Sequence, residues 1–500
     1  MAMLLPTETV DPMIEFTLPE YPELFGNRLS EDERLAMMPI TTGSNRTVET
    51  VLLRAFAYAV ATGASDVHIS GHDWQGLAVE FGIRTPVGMV NFRYDGDNNG
   101  KHFRAKMFDL TNTPQGGSTP DLMSTRFSLS FPAWWVREQG LPTTGEQPYD
   151  IDVRVEYAKT FDGWSFTSRL INQQTAPTLE QLRLPYALEA LIRRLICEPS
   201  GLILATGPTG SGKSTLLNAM LRYLINGQNS IVTIEHPVEY RLRGPGPIKQ
   251  IAVRGEVTFA KALRSALRQD PDIILIGEIR DVETMDVALS AASTGHLVLS
   301  TLHANGATDA ASRALDLLPD RTRDAVRLAE SLKLIMAQRL IYKFESEPAP
   351  RELGVYERSW LEDNGLELAR PLSETTSQTR VGKTALIEAV EIDYPISQVI
   401  RGDRFDPDAM YRLGSRQLQY ETLVMAGLRA VEQGTAKLSD CRTKLETNRP
   451  AGATPPLRTE LARRFGLTYQ EVALGIDTYI AERELNSAAT LDDVFKRMFK

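Results

Sequence analysis

Cysteine is nearly absent from this chain of 500 residues: Cys197 and Cys441 are the two, far apart in sequence. Two isolated thiols supply neither a CxxC motif nor a disulfide framework, and the pattern fits a reducing cytosol. Long apolar runs are missing too, since no stretch approaches the roughly 20 residues that span a bilayer. The opening "MAMLLPTETV" has no basic segment followed by an apolar one, so it does not read as an export signal. Basic excess is also lacking. Lys and Arg number 55 against 64 Asp and Glu, for a formal net charge of −9 and a pI of about 5.4. That balance argues against a broad nucleic-acid-binding face and leaves room only for a local basic groove. No internal repeat is found. What remains is an ordinary globular composition, 42% hydrophobic, 24% charged and 7% aromatic, with length for about three domains.

Residues 1–45 have weak periodicity and read as an N-terminal extension. A mixed α/β domain is expected over 46–178, opening with a helix from Val51 to Ala61, a stop at Gly63 and a strand from Val67 to Ser70. Trp134 and Trp135 read as packing residues. Within "DIDVRVEYAKTFDGWSFTSRLI", Ile151, Val153, Val155 and Tyr157 alternate with polar residues, as do Trp164, Phe166 and Leu170. A hairpin turning at Asp162-Gly163 sets Val155 against Leu170 and Glu156 against Arg169, with Arg154 one diagonal step from Arg169 on the polar face.

From about residue 180 the rhythm becomes helices alternating with buried strands, the pattern of a parallel α/β sheet over 179–344. Residues 345–384 are polar and irregular and read as a linker or inserted loop. Residues 385–447 read as helical throughout, and 448–500 as a Pro-rich joint followed by a helical tail.

Between the strand "LILAT" and a following helix stands "GPTGSGKS": Gly207, Pro208, Thr209, Gly210, Ser211, Gly212, Lys213 and Ser214, with Thr215 next. The glycines let backbone N–H groups wrap phosphates, and the helix N-terminus adds partial positive charge. Lys213 is placed to reach the β and γ phosphates of ATP, and Ser214 to offer a hydroxyl to Mg²⁺. The buried run "IILIG" then delivers Glu278 to the nucleotide, as a second acid acting on Mg²⁺ or its water from a strand expected beside that of the P-loop. "TIEHPVEY" puts Glu235 and Glu239 at another strand end, where a carboxylate can orient the attacking water. "TGHLVLSTLHANGA" puts His296 and His303 at the two ends of a strand, as candidates for sensing the γ-phosphate.

Taken in order, "GPTGSGKS", "TIEHPVEY", "DPDIILIGEIRD" and "TGHLVLSTLHANGA" resemble the Walker A, Asp box, atypical Walker B and His box of one family. It is the secretion and pilus traffic ATPases, the GspE/PilT-type group of type II secretion, type IV pili and type IVB secretion. The likeness covers roughly residues 46–445, with "GASDVHIS" and "KTALIEAV" echoing further family segments. It implies a RecA-like P-loop core with a smaller, PAS-like N-terminal domain and a helical C-terminal region. It also implies a hexameric ring working on an inner-membrane platform protein from the cytoplasm. By this resemblance Glu239 matches the catalytic base, Glu278 the Walker B acid, and His296 and His303 the His box. Arg154 and Arg169 match arginines offered to a neighbouring subunit's nucleotide.

Two departures stand out. His236 replaces the family's usual Asp, and 345–383 lacks the four cysteines that hold zinc in many assembly members. No zinc is therefore expected, and the lean is away from type II secretion. The expected function is ATP hydrolysis powering a type IV pilus or a related type IV secretion or conjugation machine. A P-loop nucleic-acid motor and a non-hydrolysing nucleotide-dependent scaffold are the alternatives.

Overall fold

The computed structural model describes residues 48–72, 79–86, 88–94, 100–111, 121–131, 133–138, 149–171, 176–253, 257–445, 455–485 and 490–499. The expected N-terminal extension, the side chain of Trp134 and most of the Pro-rich joint lie outside the described residues. The chain divides into two compact units, Met1–Gln174 and Thr175–Lys500.

The first unit is built on six strands: β1 (Asp66–His72), β2 (Val79–Thr85), β3 (Gly88–Tyr94), β4 (Leu122–Phe131), β5 (Tyr149–Lys159) and β6 (Gly163–Ile171). They form one antiparallel sheet in the order β3-β2-β1-β6-β5-β4. Strict alternation along β5 buries Ile151, Val153, Val155 and Tyr157, which pack with the helix Val48–Ala61 in one apolar core. Trp135 joins that core, stacked 4.8 Å from Phe131.

The β5–β6 register differs from expectation. Thr160 N–H donates to Gly163 O, so Phe161 and Asp162 form the turn, one position earlier than Asp162-Gly163. Val153 then opposes Leu170, and Arg154 stands directly opposite Arg169. An even shift in pairing keeps every side chain on its face, so the hydrophobic pattern could not distinguish the two registers.

The second unit carries β7 (Gly201–Thr206), β8 (Ile231–Glu235), β9 (Ile248–Ala252), β10 (Ile273–Ile276), β11 (Leu297–Leu302), β12 (Leu332–Phe344), β13 (Pro348–Arg351), β14 (Leu372–Thr375) and β15 (Arg380–Glu391). Seven of them form a sheet ordered β15-β12-β7-β11-β10-β8-β9, parallel except for the β12–β15 pair. Its central strands β7, β8, β10 and β11 are buried throughout, as a sheet covered on both faces requires. β10 is not beside β7, as was expected of the strand carrying the second acid. β11 lies between them, so the His-bearing strand is the one in contact with both.

Two further readings change. The stretch "KTALIEAV" is not the start of a helical domain but part of β15, antiparallel to β12. Burial of Leu386, Ile387, Glu388, Ala389 and Val390 in succession, on both faces, favours a strand there. Residues 345–384 are not an irregular linker. They form β13, the helix Val355–Asp363 and β14, which pairs antiparallel with β13. Arg351 ties this small unit together. Its guanidinium grips Glu357 in bidentate fashion at 2.8 and 2.9 Å and pairs with Glu374. Arg351 holds the Glu357 carboxyl below its ordinary pKa.

The tail is integral to the second unit. Helices Leu457–Phe465 and Tyr469–Leu485 contribute Leu461, Ala462, Val472 and Ile476 to a core shared with the helix Leu423–Glu432. The fully buried Arg458 donates to Glu421 at 2.5 Å and to Leu418 O at 3.0 Å. Asp477 accepts the Ala187 N–H at 2.9 Å, and so caps the helix Tyr186–Ile196, whose own N-cap residue is Pro185.

Candidate active site

The segment from Gly207 to Gly212 leaves the carboxyl end of β7 and enters the helix Lys213–Leu224. Gly207, Gly210 and Gly212 have φ of 141°, 77° and 90°, a region that side chains rarely adopt. Space forbids side chains as well. A Cβ on Gly207 would meet Gln338 O at 2.4 Å, and one on Gly212 would meet Gln338 Nε2 at 2.7 Å. The loop thus lies against β12, and Gly212 as N-cap leaves the first-turn N–H groups without a side-chain acceptor.

Lys213 is buried, with Nζ donating to Gly207 O at 2.8 Å and Pro208 O at 2.9 Å. Burial lowers its pKa; Glu239 opposes that, Arg339 adds to it and Glu278 again opposes it. Nearby, Ser211 Oγ and Gln338 Oε1 are buried side-chain atoms lacking a hydrogen-bond partner. A helix N-terminus without a side-chain cap, a lysine held in place and an orphaned hydroxyl suit an anion.

Glu278 follows β10 and is mostly buried, 14% exposed at the side chain. Hydroxyls of β11 hold its turn: Ser300 Oγ donates to Ile276 O at 2.9 Å and Thr301 Oγ1 to Gly277 O at 2.6 Å. Arg280 Nε lies 2.6 Å from Glu278 Oε2, and His303 Nε2 lies 3.7 Å from the same oxygen. His303 is thus brought to the site. His296 is not: it precedes β11, its Nδ1 lies 3.0 Å from Ala291 O, and its own carbonyl pairs with Gly201 N–H. In a parallel sheet that is the end opposite the P-loop, about 20 Å away along six residues of strand. A γ-phosphate held at Lys213 cannot be sensed from there within one chain.

The two glutamates after β8 also separate in role. Glu235 is buried and accepts from Thr233 Oγ1 at 2.7 Å and Gln250 Nε2 at 3.3 Å. Burial raises its pKa, while those bonds and the Glu239 N–H work against the rise. Glu239 is exposed on the loop that Glu235 anchors, and so is His236. Tyr240 ties this loop to the P-loop helix, its hydroxyl 2.9 Å from Thr215 Oγ1.

Arg154 and Arg169 sit in the first unit, with Arg169 Nε 2.9 Å from Asp66 and Arg154 Nε 3.0 Å from Glu156. Among the described residues, no group of three or more His, Cys, Asp or Glu is arranged to hold a metal ion. Ser214 and Glu278 remain the oxygen donors suited to a hard cation accompanying phosphate.

Sequence reading missed the supports. Arg339 donates to Gln338 O at 3.1 Å and Asn305 O at 3.0 Å, and Thr206 Oγ1 donates to Ala304 O at 3.0 Å. Glu388 accepts the Ala307 N–H at 3.3 Å. The loop after His303 is thereby pinned from three sides. The signal was present: Gln338-Arg339 interrupts the apolar run of β12, and Glu388 that of β15.

Residues 143–444 match the family described as Type II/IV secretion system protein. The Pseudomonas aeruginosa type II secretion system protein HxcR is 37% identical over 291 residues, 58% of either chain. The Aeromonas hydrophila type II secretion system protein E is 39% identical over 260 residues, 50% of either chain. The chain thus spans about half the length of the curated relatives it matches. Their names include type II secretion, against the lean expected from the cysteine-free insert. Among solved structures, the pilus retraction motor PilT with bound ADP matches with TM-score 0.52 and 26% identity, covering 84% of this chain and 100% of that one. The Legionella pneumophila ATPase DotB matches with TM-score 0.59 and 22% identity, covering 80% and 97% respectively, a likeness of fold. With more than half its length in that family match, and the Walker-type motifs grouped at the carboxyl end of its parallel sheet, this chain belongs to the type II/IV secretion system protein family.

Proposed function

We propose that the protein hydrolyses ATP as a hexameric cytoplasmic motor of a pilus or secretion machine, acting on an inner-membrane platform protein. The observation that carries the reading is the glycine loop at the carboxyl end of β7, which holds the buried Lys213 by two of its own carbonyls, with Glu278 closing β10 of the same sheet. Lys213 exchanges its two loop carbonyls for the β and γ phosphates, and the first-turn N–H groups bind the remaining oxygens. Mg²⁺, when bound, offsets phosphate charge, and Ser214 and Glu278 are the residues that would hold it or its water. Glu239, on an exposed loop, orients the attacking water and takes its proton. His303 beside Glu278 senses the γ-phosphate. Arg154 and Arg169 supply positive charge to a neighbour's nucleotide, as an arginine finger does, worth on the order of 10³-fold or more in rate. No described helix is long and apolar enough to cross a membrane.

Subunit mixing tests the ring. A Lys213→Ala chain and an Arg154→Ala/Arg169→Ala chain are each expected to be inactive alone. Mixed under subunit exchange, they regain phosphate release, because some intact Lys213 sites face intact arginines. Failure to regain turnover at any mixing ratio, with exchange demonstrated, overturns donation between subunits.

A further inference from the structure

We infer that Arg126 is a third phosphate-binding arginine, completing a row with Arg154 and Arg169; this rests on the reading just given. Cross-strand pairing places Arg84, Asp66, Arg169, Arg154 and Arg126 in one line over β2, β1, β6, β5 and β4. Directly opposed residues share a face of the sheet, and the next position along each strand, Ile83, Val67, Val153 or Phe127, points into the core. The row therefore stands on the polar face. Four of its five members are arginines.

Like charges directly opposite one another destabilise a sheet, so the row needs compensation. Asp66, nearly buried, receives Arg169 at 2.9 Å and lies 3.8 Å from Arg84. Glu156 receives Arg154 at 3.0 Å and the Ser124 hydroxyl at 2.8 Å. Among the described residues no carboxylate lies within ion-pair distance of the exposed Arg126, although it directly faces Arg154. The residual positive charge is thus concentrated at the Arg154–Arg126 end. Arg169, Arg154 and Arg126 sit on adjacent strands about 4.8 Å apart, so their guanidiniums present successive donor forks along a line. Planar forks in series suit the oxygens of a polyphosphate, each accepting more than one N–H. Asp66 acts through Arg169 as a positioning residue. Arg126 contacts the nucleotide itself.

The test compares full-length Arg126→Ala, Arg126→Lys and Arg126→Glu with the parent and with Arg154→Ala, in steady-state ATP hydrolysis and thermal unfolding. Arg126→Ala is expected to lower kcat/KM about ten- to hundredfold, with Arg126→Lys intermediate. Neither should lower Tm, since a repulsive neighbour of Arg154 has been removed or retained. Arg126→Glu should raise Tm by pairing with Arg154 while losing at least as much activity as the alanine. An Arg126→Ala enzyme within twofold of the parent, alongside an inactive Arg154→Ala, overturns the inference and leaves the ring reading standing. Activity lost only in step with a fall in Tm also overturns it, assigning Arg126 to structure. Parental turnover in both single variants removes the ring reading itself.

Discussion

His303 Nε2 and Glu278 Oε2 lie 3.7 Å apart, each at the carboxyl end of its own strand, β11 and β10. Because β11 also pairs with β7, this contact links the strand that carries the P-loop to the acid two strands away. It bears directly on how hydrolysis responds to substitution.

Glu278→Gln should bind ATP at near-parental affinity and lose most turnover, since the amide keeps shape and loses the charge that faces His303. Glu239→Gln should lose turnover by failing to take the water's proton. His303→Ala should cost less, about tenfold, because the carboxylate remains. Nucleotide affinity by fluorescence titration and phosphate release measured together check all three. Parental turnover in either glutamine variant would mean that carboxylate was wrongly assigned.

Lys213→Ala should lose activity by orders of magnitude, because the phosphates lose their main cation. Gly207→Ala should fail earlier, at binding. Its Cβ would press on Gln338 O and its φ of 141° disfavours alanine, so the loop must move. Thermal unfolding with and without ATP separates the outcomes: a parental ligand-induced shift in Gly207→Ala would contradict this account.

Stability should fall as pH rises from ordinary carboxyl values toward neutrality, through Glu388. Burial pushes its pKa up from 4.5 to about 7, against the N–H groups of Ala307 and Leu423. The folded state therefore holds a proton that the unfolded chain releases above about 4.5, and that advantage is gone above about 7. Glu388→Gln keeps an acceptor for both N–H groups without the charge. It should gain on the parent by up to about 3 kcal/mol between pH 5 and 8. Urea midpoints for both proteins across that range decide it. A difference that does not change with pH would place the titration elsewhere.

Cutting the chain after residue 445 should destabilise the second unit, since Leu461, Val472, Ile476 and Arg458 leave its core and Glu421 keeps only Arg429. Arg458→Ala alone should cost about 3 kcal/mol by stranding part of the Glu421 charge. Asp477→Ala should cost about 1 kcal/mol through the lost cap on the helix Tyr186–Ile196. Tm values of the three variants rank the effects. Equal stability of the cut and intact chains would show the tail to be dispensable.

Phosphate chemistry made the site legible, because it needs particular residues at short, fixed spacing. Gly207 to Ser214, Glu239, Glu278 and His303 could all be read that way. His296 had the same local credentials, and only strand direction separates it from the site. The order of β10 and β11 depends on pairing between distant segments, which no local motif records. The hairpin register escaped because both alternatives bury the same side chains. "KTALIEAV" was misread because a strand buried on both faces loses its alternation and reads as well for a helix. The insert between β13 and β14 reads as irregular because its buried apolar residues, Leu361 and Leu366, are few and lie among polar ones, and Arg351 with two carboxylates completes its order.

The Asp477 cap also sets a schedule for the ribosome. The helix Tyr186–Ile196 is synthesised early, yet the carboxylate that satisfies its first turn comes 290 residues later. At ordinary elongation rates that is a wait of about 15–60 s, during which those N–H groups have only water. The helix also buries Ala187 in the core shared with the tail, so its outer face stays wet for the same interval. The helix Tyr186–Ile196, and the second unit it packs in, thus reach their final stability only once the tail helix has been made.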